Sequence, residues 1–187
     1  MLELKHSMID FTLSNNLRNY FMNYKNLKKK VRDKNIFFVV PKDIQKQLLD
    51  NICKIYPEFR KYNWSIEVGK FYDPVGWHND YNYDANTKLQ CKKGFIIPLK
   101  WYKNAGTQFT EYTFNKKIVI KEDEKFQVVD TGEFLNENIL EHINEFITYK
   151  WQENKIITFS SDVLHRATPS KYNRKYKLSI NALGYVK

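Results

Sequence analysis

Lys155-Ile156-Ile157-Thr158-Phe159-Ser160-Ser161-Asp162-Val163-Leu164-His165 reads as a strand, a tight turn and the opening of a second strand, with a histidine at its far end. β-branched and aromatic residues fill both arms, and the polar Ser-Ser-Asp step between them is turn chemistry. A second segment, Gly76-Trp77-His78-Asn79-Asp80, follows another strand-like run, Ile66-Glu67-Val68-Gly69-Lys70-Phe71-Tyr72. In an extended chain residues i and i+2 share a face, so His78 and Asp80 point one way and Asn79 the other. If His165 reaches them from a different strand, two imidazoles and one carboxylate meet. That is the facial donor set for non-haem Fe(II), which leaves coordination positions open for other ligands.

Working outward, short strands broken by turns are predicted over 64–72, 94–101, 107–114, 117–121, 125–129, 155–160, 163–167 and 174–182. The N-terminal part differs. Leu17, Tyr20, Phe21, Tyr24 and Leu27 repeat at helical spacing within 14–31, with Ser14 as a cap. Residues 35–40 form a buried strand. Pro41 suits a helix start, and Ile44, Leu48, Ile52 and Ile55 mark an amphipathic helix over 42–60 that Pro57 shortens. Helical spacing returns at Ile139, Leu140, Ile143 and Phe146, within 136–147. The expected architecture is α+β, mainly β: a double-stranded β-helix, or jelly roll, with N-terminal helices packed on one sheet. One domain covers 1–187, with a helical part at about 1–62 and a jelly roll at about 63–187 that carries an insertion at about 115–150.

The chain of 187 residues has a hydrophobic content of 42% and an aromatic content of 16%, which fits a globular domain and excludes disorder. No apolar run is long enough for a membrane span, and no basic segment precedes an apolar core as in a signal peptide. Cys53 and Cys91 lack metal-ligand spacing and read as free thiols of a reduced, cytoplasmic setting. The net charge of +10 favours anionic partners, nucleic acid included. The abundance of Lys, Asn, Ile, Tyr and Phe, the residues of AT-rich codons, accounts for the lysines equally well and would suit a viral or small-genome source. Lys28-Lys29-Lys30 reads as a solvated helix end. His6 and His142 stand in no ligand context and read as ordinary surface or helix residues.

Several segments in order resemble the small Fe(II)/2-oxoglutarate-dependent dioxygenases of the prolyl-4-hydroxylase-like branch, a small viral or phage-type member being one form of that resemblance. They are Ile66–Tyr72 leading into His78-Asn79-Asp80; Phe95-Ile96-Ile97-Pro98-Leu99; Gly106-Thr107-Gln108-Phe109; Ile156–Ser160; His165-Arg166-Ala167-Thr168-Pro169; and Lys175-Tyr176-Lys177-Leu178-Ser179-Ile180. The resemblance covers about 64–185. It implies a jelly roll that binds Fe(II) through His78, Asp80 and His165, takes 2-oxoglutarate as co-substrate and O2 as oxidant, and releases succinate and CO2 as it hydroxylates a C–H bond. The retained Asp80 favours hydroxylation over halogenation, because halogenases of the family replace this carboxylate.

The resemblance also implies a basic residue on the last strand, about ten residues after His165, that anchors the far carboxylate of 2-oxoglutarate. Lys175 and Arg174 both qualify. Strand parity favours Lys175, which shares a face with Lys177, Ser179 and Asn181, while Tyr176, Leu178 and Ile180 form the opposite apolar face. Ser179 would assist the anchor, and Tyr72 would donate a phenol hydrogen bond. Lysine departs from the commoner arginine, whose planar fork grips a carboxylate bidentately. The demethylases of alkylated nucleic acid carry a second arginine six residues past the anchor. Asn181 stands there instead, so a peptide or small-molecule substrate is favoured over nucleic acid. Trp77, Tyr81 and Trp101, with Tyr83 and Tyr102, are candidates for an aromatic substrate rim. Two other readings compete: a non-catalytic metal- or ligand-binding jelly roll, and a basic nucleic-acid-acting protein.

Overall fold

A computed structural model describes residues 5–32, 35–72, 76–84, 87–120, 126–129, 145–168 and 176–187. Its strands are β1 (His6–Asp10), β2 (Lys29–Arg32), β3 (Asn35–Val39), β4 (Asn63–Phe71), β5 (Tyr83–Asp84), β6 (Leu89–Lys100), β7 (Gly106–Thr113), β8 (Ile118–Ile120), β9 (Phe126–Val128), β10 (Ile147–Lys150), β11 (Lys155–Ser160), β12 (Val163–Ala167) and β13 (Lys177–Val186). Among the described residues two α-helices, α1 (Asn15–Met22) and α2 (Lys42–Ile55), lie near the N-terminus. The described residues are therefore mainly β, and every strand pair among them is antiparallel.

The eight-stranded major sheet runs β1-β11-β6-β13-β4-β3-β2, with β5 paired to β6. A minor sheet runs β10-β7-β12, and β8-β9 form a hairpin. Period-2 alternation gives the major sheet two apolar faces. Phe95, Ile97 and Leu99 of β6, Ile156 of β11 and Leu178 and Ile180 of β13 pack with Leu17, Phe21, Leu48 and Ile52 of the helices. Ile96, Ile157 and Phe159 turn the other way, onto Phe109 and Val163 of the minor sheet and onto Trp151. Each fully buried side chain of this size stabilises the fold by roughly 1.5–3 kcal/mol. The helices thus back one face of the major sheet, and the minor sheet faces the other.

Several N-terminal elements differ from expectation. Helical periodicity over 14–31 gives only α1 and a short 3-10 turn at Tyr24–Asn26. Lys29 and Lys30 then lie on edge strand β2, where Lys29 pairs with Phe38, and not on a helix end. Pairing with β3 satisfies the backbone that a longer helix would have satisfied. Helix α2 stops at Ile55, and Pro57 opens a separate 3-10 turn. Strand β1 has no counterpart in the sequence reading, and His6 on it is buried, stacked on Phe109. The expected helix over 136–147 and His142 lie largely outside the described residues; Ile147 itself begins β10. No described helix is long and apolar enough to cross a membrane. Cys53 and Cys91 are free and buried.

Two strands of the minor sheet, β7 and β10, approach closely at Gly106. A Cβ there would lie 2.6 Å from the Tyr149 carbonyl oxygen on the paired strand β10. Backbone cannot yield as a flexible side chain does. Gly106→Ala is therefore expected to destabilise the protein by roughly 1–3 kcal/mol, read as a lower midpoint in a urea melt. An unchanged midpoint would show that β10 moves away freely.

Candidate metal centre

His165 comes from the minor sheet, in β12, with its backbone paired to Phe109 of β7. His78 is stitched beside it by two backbone hydrogen bonds: His78 N–H donates to His165 O (3.0 Å), and His165 N–H donates to His78 O (2.8 Å). Asp80 N–H donates to the Ser161 carbonyl in the turn before β12 (2.8 Å). The strand–turn–strand segment therefore supplies one ligand and the backbone frame for the other two.

Asn79 points away from the ligands, as period 2 requires, and is fully buried. Its Nδ2 donates to the carbonyls of Lys116 (2.7 Å) and Phe114 (3.4 Å), and its Oδ1 accepts from Ile118 N–H (2.9 Å). It pins the two ligands on either side of it to the β8 segment. Asn79→Ala would leave these buried groups without partners, a loss of roughly 1–3 kcal/mol. Metal affinity is expected to fall about tenfold, as when groups that orient ligands are removed. Calorimetric metal titration of the variant checks this, and an unchanged affinity would show that the strand pairing alone holds the ligands.

The ligand atoms of His78, Asp80 and His165 all lie within 4.8 Å of one another. His165 Nε2 is 3.5 Å from Asp80 Oδ2, and His78 Nε2 is 3.9 Å from Asp80 Oδ1. Each imidazole has its Nδ1 at a carbonyl, His78 at Gly76 O (2.7 Å) and His165 at Val163 O (3.1 Å). That contact places the proton on Nδ1 and leaves the Nε2 lone pair facing Asp80. Burial, with His165 beside it, pulls the His78 pKa down to about 4, so its ring is neutral at pH 7. Burial pushes the Asp80 carboxyl up, but His165, His78 and Lys117 outweigh that and hold it well below the usual carboxylate range. A neutral imidazole at His78 and an ionised carboxylate at Asp80 are protonation states that suit a divalent cation. The rings of Phe159 and Phe109 lie 4.6 and 5.5 Å from the His165 ring and close the inner side.

The three side chains open onto a cavity of about 440 Å³ between the sheets. Thr107, Trp151, Phe159 and Ala167 line it near the metal group, and Phe37, Glu67, Phe71, Asn181 and Tyr185 line it across the major sheet. Lys177, at the start of β13, is 2% exposed and also lines it. Its Nζ has no hydrogen-bond partner among the described residues and stands 5.1 Å from the Trp151 ring centroid. Burial pulls its pKa down to about 8. A buried ammonium with no counter-ion is costly, so this group marks a place for an anion.

The other expected site residues fall as follows. Lys175 and Arg174 lie outside the described residues. Ser179 is fully buried, and its hydroxyl donates to Asn181 Oδ1 (3.1 Å), which orients that amide in the cavity wall. Tyr72 sits on the opposite face from Phe71, partly exposed, with Lys70 Nζ 4.9 Å from its ring centroid. Trp77, Tyr81 and Trp101 are not lining residues of the cavity. Trp77 packs on Ile118 and Leu164, with the Arg166 guanidinium 4.5 Å from its ring centroid, and Trp101 packs against the core between the sheets. The side chain of Tyr83 lies outside what the structure describes. The aromatic walls come from Phe37, Phe71, Trp151 and Tyr185 instead. Three of these sit on strands, facing inward by parity, and Trp151 sits just past β10. Their signal was period 2, not proximity to His78 in sequence.

Fold and site together define a class: antiparallel β-proteins with a two-histidine, one-carboxylate group in the cavity between two sheets. Solved structures share this fold. A Pseudomonas putida prolyl-4-hydroxylase matches with a TM-score of 0.59 at 12% identity, over 98% of this chain and 93% of that one. The epimerase SnoN of nogalamycin biosynthesis, solved with Fe3+, alpha ketoglutarate and nogalamycin RO, matches with a TM-score of 0.60 at 10% identity, over 98% and 79%. EvdO2 from Micromonospora carbonacea var. aurantiaca, solved with 2-oxoglutarate, gives 0.58 at 8% identity, over 98% and 86%. At these identities the likeness is one of fold. No protein-family model matches the chain, and no curated protein matches it in sequence.

Proposed function

We infer that this chain is a jelly-roll oxygenase dependent on non-haem Fe(II) and 2-oxoglutarate, which hydroxylates a C–H bond of a peptide or small molecule. The observation that carries this reading is the buried Lys177 amine, without a hydrogen-bond partner among the described residues, in the same cavity as His78, Asp80 and His165. A metal group alone fits many roles. A metal group and a buried cation facing one cavity fit a metal-chelating dicarboxylate.

The residues present fit both groups. His78 Nε2, His165 Nε2 and an Asp80 oxygen would hold the iron, and Lys177 would meet the distal carboxylate in place of the Lys175 or Arg174 expected from spacing. By sequence parity Lys177 shares the face expected of Lys175, two residues on. Iron and 2-oxoglutarate, when bound, supply the oxidising power: R–H, O2 and 2-oxoglutarate give R–OH, succinate and CO2. The chain's own part is positional. Lys177 neutralises and orients the co-substrate, and the Ser179–Asn181 pair shapes the adjoining wall. Phe159, Trp151 and Phe71 keep water from the reacting centre.

The test is anaerobic calorimetry with Fe(II) and then 2-oxoglutarate, followed by succinate release in air. Binding of both, with slow release of succinate even without substrate, is expected. Iron binding without any 2-oxoglutarate binding would leave a metal-binding module, and failure to bind iron would reject the reading.

A further inference from the structure

Strand β6 breaks its alternation at Lys92. On β13, Gly184 pairs with Lys93 and Tyr185 with Cys91, so Lys92 has no pairing partner there. This is a β-bulge, which re-aims side chains that strict alternation would send to opposite faces. Lys92 and Lys93 both border one cleft of about 410 Å³. Two contacts fix the bulge: Ser161 N–H donates to the Lys92 carbonyl (3.2 Å), and Lys93 pairs with Ser160 of β11. Lys61 and Tyr62 supply another part of the wall, drawn close by Gly184, where a Cβ would lie 3.0 Å from the Tyr62 Cβ. Lys5 also lines the cleft and donates to the Glu111 carbonyl (3.5 Å). Lys61 and Lys92 are exposed, and neither forms an ion pair among the described residues. No aspartate or glutamate lines the cleft among the described residues, and it shares no lining residue with the metal cavity.

We propose that this cleft binds the backbone of a single-stranded nucleic acid, with Lys61 and Lys92 on phosphates and Tyr62 beneath a base. The site is separate from the metal cavity and does not depend on the oxygenase reading. Lysines gathered where no carboxylate offsets them, on a chain of net charge +10, attract a polyanion. Tyr62 narrows the class. Its ring is half-buried against Trp64, and Lys61 Nζ lies over it, 5.1 Å from the centroid. An incoming base can take that place over the ring and leave the ammonium for the adjoining phosphate. An acidic peptide would use the charges alone. Asn181, which disfavours nucleic acid as the substrate, lies in the wall of the metal cavity and not in this cleft.

The test is fluorescence anisotropy of a short labelled oligothymidylate, titrated with the full chain at several salt concentrations. The wild type is expected to bind with a Kd on the order of 10 μM at about 150 mM salt, weakening steeply as salt rises. Lys61→Gln with Lys92→Gln should weaken binding about tenfold and flatten the log–log salt dependence by roughly 0.7 for each lysine removed. Tyr62→Leu should weaken binding about fivefold or more with the salt slope unchanged, and Tyr62→Phe, which keeps the ring, should restore it. Lys25→Gln with Lys103→Gln removes the same charge outside the cleft, from two exposed lysines. It should cost less than about threefold, because salt screens distant charges. No binding by the wild type, or an equal loss in the Lys25 and Lys103 variant, would overturn the proposal. So would full-strength binding by Tyr62→Leu, or displacement of the strand by oligoglutamate of equal charge as readily as by unlabelled strand; either would make the cleft a surface for acidic peptide instead.

Discussion

Lys177→Met is expected to weaken 2-oxoglutarate binding by roughly 100-fold while raising the melting temperature by several degrees. The two effects have one cause. In the protein without co-substrate the ammonium is 2% exposed and lacks a hydrogen-bond partner among the described residues. Burial holds its pKa at about 8 against 10.5 in solvent, a difference worth roughly 3 kcal/mol as an order of magnitude. The folded state binds the proton less tightly than the unfolded state. The penalty is therefore fully present below about pH 8 and disappears as pH rises towards 10.5. Wild-type protein should accordingly gain stability over that range, and Lys177→Met, already relieved of the charge, should not. A dicarboxylate supplies the missing counter-charge, so 2-oxoglutarate should bind less well to the wild type as pH rises above 8. Thermal melts and co-substrate titrations from pH 7 to 10 read both. A destabilised Lys177→Met with normal 2-oxoglutarate affinity would show that the amine is structural.

Asp80→Ala is expected to reduce Fe(II) affinity by roughly 100-fold or more and to abolish succinate release. Removing groups that merely orient ligands costs about 10–100-fold, and loss of a donor itself should reach or exceed that upper bound. Asp80 is also the shared neighbour of both imidazoles, 3.5 Å from one and 3.9 Å from the other. Without it two imidazole nitrogens remain among the three ligands, with no anion to offset the metal's charge. Backbone placement should survive, because His78 and His165 are joined through main-chain hydrogen bonds that do not involve the carboxylate. The expected variant is folded and metal-poor. Retained tight iron binding would move the site elsewhere.

Much of this was legible in residue order. Alternation within 174–182 foretold a strand with one face towards the helices and one towards the cavity, and Leu178 and Ile180 do pack against the helices. The His78-Asn79-Asp80 triplet told its own story through parity, since Asn79 could only point away. Other features depend on partners that sequence does not name. Whether Lys29–Arg32 continues a helix or pairs with Asn35–Val39 is decided by the free edge of β3, a tertiary fact. His6 lacked any motif, yet β1 completes the major sheet beside β11 and buries it. Trp77 and Trp101 were drawn to the rim by closeness in sequence, while the cavity walls come from strands far apart in the chain. Lys177 was placed on the correct face by parity, but only the three-dimensional cavity reveals that its charge has no partner among the described residues.

The most direct measurement is a crystal structure of the protein with Mn(II) and 2-oxoglutarate. The account predicts one metal ion bound by His78 Nε2, His165 Nε2 and an Asp80 carboxylate oxygen, chelated by 2-oxoglutarate, with the distal carboxylate at hydrogen-bond distance from Lys177 Nζ. Metal bound elsewhere, or a co-substrate whose far end turns away from Lys177 while the metal stays on the three ligands, would contradict it.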